Sequence, residues 1–299
     1  MIRTDDLKVF IYSVEEGSFS AAAKRLGSTP ALASSAIQRL EKAVGARLFI
    51  RSTRTIRLSE DGERYLAHAR AAIDALEAGE RELNSKRDDI SGTLRISAPS
   101  DLGRNVLLPW LQDFQDTYPD LSIDLRLGDH ISDLYKDTSD VGIRYGVLGD
   151  SSLIALPLVP DNRRIVCASP VYLEQYGTPA SIEALRQHNC LLYQIAGVAY
   201  DHWPFVLPDG NKTIKVKGTF ASDDADVVKR WGIAGKGVLY KSRLDILSDI
   251  KAGSLVQIFP TDHSPLLPLQ LVCPHRTSIT PAIKKLTEFL RERFHLYLS

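Results

Sequence analysis

Between residues 34 and 57 the chain concentrates side chains suited to reading another polymer. Ser34, Ser35, Gln38 and Arg39 offer small hydroxyls, an amide and a guanidinium within six positions. Hydroxyls and amides match the donors and acceptors of base edges, and an arginine reaches a phosphate or the edge of guanine. Arg51, Thr53 and Arg54 follow a short way on, and an arginine so placed can meet phosphates or enter a narrow minor groove. From Arg39 to Arg57 there are six basic residues (Arg39, Lys42, Arg47, Arg51, Arg54, Arg57) against one acid, Glu41. A solvated face would explain any one of these arginines; it explains the cluster less well.

The elements that must position these groups are legible in the periodicity. Leu7, Phe10, Ile11 and Val14 repeat with helical spacing, with Thr4 as the N-cap and Gly17 as the stop. Ser18 caps a second short helix through Leu26. After the Gly27-Ser28 turn, Thr29-Pro30 supplies a cap and a first-turn proline for a third helix ending at Gly45. Ala33, Ile37, Leu40 and Val44 give that helix its inner face, so Ser34, Ser35, Gln38 and Arg39 fall on the other side. Leu48, Ile50, Ile56 and Leu58 alternate on two arms of a small hairpin around Arg51–Arg54. Three helices and a basic hairpin make an all-α winged helix-turn-helix, with helix three in the major groove. Ser28 and Thr29 join the candidate DNA contacts at its entry.

Ser59 then caps a helix of almost thirty residues ending near Arg87, whose Leu66, Ala69, Ile73, Leu76 and Leu83 form one narrow seam. Such a stripe asks for a partner helix, and packing on its own domain is the alternative. Beyond a polar break at 88–92 the pattern alternates strands with helices, an α/β arrangement. Strands are expected around Leu94–Ala98, Ile123–Leu127, Val141–Arg144, Ile165–Ala168, Ile214–Phe220, Gly237–Tyr240 and Leu269–Cys273, with a final helix from Pro281.

Charge at first argues against a nucleic-acid partner, because 37 basic residues are balanced by 37 acidic ones in 299 positions. Partition reverses that inference. Residues 1–58 hold ten basic and five acidic groups, so the remainder is net acidic. Cys167, Cys190 and Cys273 form no CxxC pair and read as buried reduced thiols. Asp5, Asp6, Glu15 and Glu16 leave no apolar run for a signal peptide, and the uncharged window His188–Tyr200 is too short and polar for a membrane span. A cytoplasmic location with no membrane contact is therefore expected. There is no P-loop, GxSxG, HExxH or Gly-rich dinucleotide fingerprint. Asp223-Asp224 is adjacent in sequence, which turns the two carboxylates different ways. No enzyme, catalytic residue, cofactor or metal site is expected.

The run from Ser18 to Gly62 resembles the DNA-binding segment of LysR-type transcriptional regulators. The matching positions include Ser18-Phe19, Ala21-Ala22-Ala23, Leu26, Thr29-Pro30, Ser34, Ile37, Leu40-Glu41, Gly45, Leu48-Phe49, Arg51, Thr53-Arg54, Leu58 and Gly62. Residues 140–146, 167–177, 188–190 and Ala234–Gly237 agree with the C-terminal part, so the similarity covers essentially the whole chain. Two departures stand out. Ser35 replaces the common Lys or Arg after the helix-three serine, and Tyr240-Lys241-Ser242 follows the glycine stretch where Leu-Pro is common.

The resemblance implies a two-lobed α/β effector domain like a periplasmic binding protein, with a cleft between its lobes. The division expected is 1–58 for the winged helix-turn-helix and 59–91 for a dimerisation helix and hinge. The effector domain takes 92–299, with lobe I about 92–162 and 267–299, and lobe II about 163–266. Ligands in such sheets lie beyond strand carboxyl ends, near helix N-termini. That rule selects Ser97, Pro99, Ser100, Arg144, Phe220, Ser222, Asp223, Tyr240 and Lys241 as ligand-binding candidates. Arg144 fits a structural ion pair equally well, Ser222 fits a plain helix cap, and the Asp pair can simply complement a helix dipole. Arg144 and Lys241 suggest an anionic or carboxylated effector. The partners implied are double-stranded DNA, a small-molecule effector, a second copy through the long helix, a homotetramer through effector domains, and RNA polymerase. The rival is a solute-binding or scaffolding protein that keeps the helix-turn-helix only to dimerise.

Overall fold

A computed structural model describes residues 1–51, 56–84, 90–129, 139–147, 153–195, 197–274 and 279–299. The chain divides into two compact units, Met1–Asp89 and Ile90–Ser299. Thr53 and Arg54 lie outside the described residues, as does the Arg51 side chain.

The first unit is α1 (Thr4–Glu15), α2 (Phe19–Arg25), α3 (Pro30–Val44), β1 (Phe49–Arg51), β2 (Ile56–Leu58) and α4 (Glu60–Asn84). Its core joins Phe10 and Ile11 of α1, Ala23 of α2, Ala33, Ile37 and Leu40 of α3, and Leu48 and Phe49 at the hairpin. Ser18 caps α2 by accepting from Ala21 N, and Thr29 caps α3 by accepting from Leu32 N. Gly45 ends α3 with φ 73°, the left-handed conformation that costs glycine little. Thr4 is not the cap of α1: it is the first helical residue, and Arg3 holds the cap position without a side-chain bond.

The hairpin departs from simple alternation. Ile50 is 62% exposed while Phe49 is buried, because the Phe49 ring packs edge-on against Phe10 and Phe19, with centroids 5.5 and 5.1 Å away. Ser59 closes the hairpin onto α4, donating to Arg47 O and accepting from Gly62 N at 2.9 Å. Gly62 passes so near the hairpin that an added Cβ would lie 2.1 Å from Leu48 O. The apolar stripe of α4 is shared between two fates. Ala69 and Ile73 are buried on their own unit, whereas Leu76 is 51% exposed.

The second unit opens with β3 (Gly92–Ala98), then α5 (Ser100–Leu102), a π-helical turn over Gly103–Leu107, and α6 (Leu108–Thr117). β4 (Leu121–Leu127), β5 (Val141–Tyr145) and β6 (Ile154–Val159) follow. The chain then crosses to β7 (Arg164–Ala168), α7 (Pro170–Tyr176), β8 (Leu192–Ile195), β9 (Val198–Ala199) and the hairpin β10 (His202–Leu207) and β11 (Gly210–Lys215). β12 (Ala221–Ser222), α8 (Ala225–Ile233), β13 (Leu239–Ser242), α9 (Arg243–Lys251) and β14 (Val256–Gln257) complete this lobe. The return crossing leads to β15 (Leu269–Cys273) and α10 (Pro281–Leu298).

Lobe I is a five-stranded sheet in the order β4-β3-β5-β15-β6, parallel through β3, β4 and β5 and antiparallel at β15. Helix α10 covers it, Phe294 against Trp110 and Phe289 against Phe114. Lobe II holds β13-β7-β14, β12-β8-β9 and the β10-β11 hairpin. The strand expected over Ile214–Phe220 is divided, because the chain leaves β11 after Lys215 to let Lys217 O accept from Cys190 N and then joins β8 as β12. The two crossings run side by side. Leu267 N donates to Asn162 O, and Asn162 Nδ2 donates to Leu267 O and to Ser242 Oγ.

The three cysteines are buried and unpaired. Burial raises every thiol, Cys190 to about 12 and Cys273 to about 11, which keeps these two protonated and unreactive.

Candidate functional site

Helix α3 turns Ala33, Ala36, Ile37 and Leu40 into the core. The opposite arc exposes Ala31, Leu32, Ser35, Gln38, Arg39, Lys42 and Ala43, a continuous stripe at 100° per residue. Ser35 and Gln38 lie well inside it, whereas Ser34 and Ser28 are half-buried at its edge and Thr29 is exposed at the cap.

Arg39 is not a loose side chain. Its Nη2 meets Asp6 Oδ1 at 2.6 Å and its Nε donates to Asp6 Oδ2 at 3.2 Å, and Asp6 is buried. That hydrogen-bonded carboxylate holds the guanidinium above its usual pKa. Arg39 is thereby fixed in orientation through Nε and Nη2. Glu41, on the same helix, accepts from Leu48 N at 2.9 Å and Phe49 N at 3.2 Å, so the acid in the basic cluster ties α3 to β1. Sequence reasoning gave Glu41 no role and passed over Leu32.

In the second unit the two lobes meet through charge. Arg104 Nη1 donates to both oxygens of Asp224, at 3.0 and 2.9 Å. Asn105 Nδ2 donates to Asp101 Oδ1 at 2.8 Å and across to Asp226 Oδ1 at 2.9 Å. Both donors come from the π-helical turn, whose extra residue per turn re-aims side chains relative to α5. Asp129, two residues past the end of β4, joins the start of α5 to the start of α8. Its Oδ1 accepts from Ser100 N and its Oδ2 from Ala225 N, each at 2.8 Å, and Ser100 Oγ donates to it as well. Tyr193 OH donates to Asp129 O at 3.0 Å.

Below this seam lies a buried ionic core. Asp101, wholly buried, pairs with Lys229 and with Lys241, each at 2.5 Å. Lys241 Nζ also donates to Ala225 O at 2.7 Å and stands 3.7 Å from Asp245 Oδ2. Tyr145 OH, from lobe I, donates to Asp245 Oδ1 at 2.6 Å. Burial works against the Lys241 charge, but the Asp245 and Asp101 carboxylates outweigh it and its pKa is raised. Burial lifts Asp245 to about 6 despite Lys241. Asp224 and Asp226 also resist burial: Arg104 and backbone N–H groups hold Asp224 below the usual carboxylate value, and Arg230 and Asn105 do the same for Asp226.

The ligand-binding candidates scatter around this geometry. Ser100 stands at the seam, with Pro99 immediately before α5. Lys241 is at the lobe contact, where it pairs with the Asp101 and Asp245 carboxylates. Tyr240 faces away, as its neighbour in an extended strand must. It stacks on Trp203 with centroids 5.1 Å apart and donates to Pro204 O. Arg144 donates to Ser97 O at 3.1 Å, to Ser97 Oγ at 2.8 Å and to Ile143 O at 2.9 Å, so the structure joins Arg144 and Ser97 within lobe I. Phe220 packs on Trp231. Ser222 does not cap α8; its Oγ accepts from Asp224 N, and Asp224 is the cap. Asp223 is exposed beside it. Asp101, Arg104, Asn105, Asp129, Asp226, Lys229 and Asp245 were missed, and Asp224, read with Asp223 at a helix start, is the α8 cap that Arg104 meets. Asp101, Arg104 and Asn105 carried a signal, the i, i+3, i+4 spacing just after a strand end.

Comparison with known proteins gives two family matches. The family described as "Bacterial regulatory helix-turn-helix protein, lysR family" matches residues 4–63, and "LysR substrate binding domain" matches residues 87–295. The transcriptional activator TtdR of Escherichia coli (strain K12) is 33% identical over 255 residues, 85% of this chain and 82% of TtdR. The transcriptional regulator DmlR of the same organism is 31% identical over 290 residues, 97% of this chain and 94% of DmlR. Among solved structures, full-length AphB, a virulence activator of Vibrio cholerae, superposes with a TM-score of 0.59 at 29% identity, covering 96% of this chain and 98% of AphB. No helix among the described residues is long and apolar enough to cross a membrane.

Proposed function

The chain belongs to the LysR family of bacterial transcriptional regulators, and on that premise we propose that α3 reads duplex DNA in the major groove while the seam between the lobes of the second unit admits a small effector. The observation that carries this reading is the exposed arc of α3, where neutral hydrogen-bonding groups are flanked by fixed or free cations. Ser35, Gln38 and Lys42 supply base-edge and phosphate contacts; Arg51, Thr53 and Arg54 of the hairpin extend them along the backbone. The exposed part of the α4 stripe around Leu76 supports pairing of two copies, and the pair would read half-sites about 34 Å apart or a multiple of it. Higher assembly, contact with RNA polymerase, a cytoplasmic location and the lack of catalysis belong to the same reading.

An effector entering the seam must compete with Asp129 for Ser100 N and Ala225 N, so a ligand bearing an acceptor oxygen fits. Lys241 and Arg144 give weaker support to an anionic effector than their sequence positions promised, since both are engaged with protein partners. Opening or closing the lobes would change the angle between paired subunits and the bend of the DNA. The test is anisotropy titration of the purified chain against DNA upstream of its own gene, repeated with the best stabiliser from a thermal-shift screen of metabolites. Binding with an effector-dependent footprint is the expected result. Absence of sequence-preferring DNA binding would favour the solute-binding or scaffolding alternative, and identical footprints and bend angles with a verified effector would remove the lobe-closure mechanism.

A further inference from the structure

Leu32 is 60% exposed, and among the described residues it is the one large apolar side chain left in water on α3. It stands in the first turn, directly after the Thr29 cap and Pro30, at the end of the helix that enters a groove first. Its surface neighbours are short: Ala31 beside it and Ser35 one turn on. Nothing in that turn reaches further than the Leu32 isobutyl group. The nearest long side chain on the same line, Arg39, is held back by Asp6.

The major groove carries one apolar mark, the C5-methyl group of thymine. Hydrogen-bonding edges gain nothing from a leucine, and phosphates are served by Lys42 and Arg39 on the same arc. We infer that Leu32 is a specificity-determining residue that packs on a thymine methyl in each half-site. The inference rests on α3 being the DNA-reading helix and adds which base its first turn selects. It also gives the small Ser35 a purpose, since a long side chain there would stand between Leu32 and the base.

The full-length protein is used to select duplexes from a randomised library, and each thymine of the selected site is then replaced singly by uracil, which lacks only the methyl. The wild type should lose affinity about fourfold at one thymine per half-site, the partition of one methyl group out of water. Leu32→Ala should be indifferent to that replacement, while Leu32→Gln should shift the selected base at that position toward adenine, which glutamine bonds through N6 and N7. Because Leu32 is neutral, the salt dependence of binding should be the same in all three proteins. Equal affinity for thymine and uracil everywhere in the wild type overturns the inference, as does an undiminished uracil effect in Leu32→Ala. Failure of the underlying reading has a different signature: no duplex is enriched, or Lys42→Ala leaves affinity and salt slope untouched, and then the inference falls with it.

Discussion

The arc of α3 and the seam between the lobes are both polar, yet they satisfy their charges in opposite ways. On α3, Ser35, Gln38 and Lys42 face solvent, and the ion pair to Asp6 serves to aim Arg39. In the seam, Asp101, Lys229, Lys241 and Asp245 are buried and face one another. A surface meant for an outside partner keeps its hydrogen-bonding groups available. A contact between two parts of one molecule must neutralise its own, because an unpaired buried charge is costly.

The sharpest way to break that contrast is Asp101→Asn, which strips Lys229 and Lys241 of their shared counter-ion. Removing one partner of a buried pair costs about 3–5 kcal/mol, so chemical denaturation of the full chain should show a loss of that order. A loss below about 1 kcal/mol would mean that water reaches the core and the comparison is overdrawn. In the basic cluster the double change Arg51→Ala with Arg54→Ala should leave unfolding nearly unchanged but reduce the slope of log K against log salt by roughly 2 per bound subunit. An unchanged slope would class both arginines as solvated.

Smaller effects sharpen the same boundary. Thr29→Ala removes the cap of α3 and should destabilise the first unit by about 1 kcal/mol, with weaker DNA binding as a consequence; calorimetry and anisotropy would separate the two. Arg104→Met should cost less than about 1 kcal/mol, because its pair with Asp224 is partly exposed. The pH dependence of that last loss has a definite sign. Asp224 is depressed in the folded protein, so its contribution is complete above the ordinary aspartate value near 4 and disappears as pH falls through its lower folded value. The stability difference between wild type and Arg104→Met should therefore shrink in acid and stay constant at neutral pH. A difference that grows in acid would assign the seam to other groups.

The first unit was largely legible because its signals are local. Ser18, Thr29, Pro30 and Gly45 set helix ends within a turn of themselves, and apolar spacing set the inner faces. Where local rules met a tertiary demand they failed: Phe49 rather than Ile50 is buried, because two distant rings receive it. The seam was much less legible. The strand-end rule found Ser100 and Lys241, but it gave no sign of the Lys241 carboxylate partners and missed Asp129, whose partners lie 29 and 96 positions away. It also grouped Tyr240 with Lys241, although alternation along β13 turns them to opposite faces, one to Trp203 and the other to Asp101.

By itself the sequence determined the order of elements, the basic head with its acidic remainder, the outward arc of α3, and the family to which the chain belongs. The first three follow from periodicity, capping and charge, which act over a few residues; the family rests on the resemblance carried by Ser18–Gly62 and the C-terminal stretches. Only the tertiary structure decided which charges are available to a partner. Whether Arg39, Arg144 and Lys241 are free or engaged depends on Asp6, Ser97 and Asp101, residues 33, 47 and 140 positions distant that no local rule brings near. Electrostatic partners are chosen by proximity in space, and the fold creates that proximity.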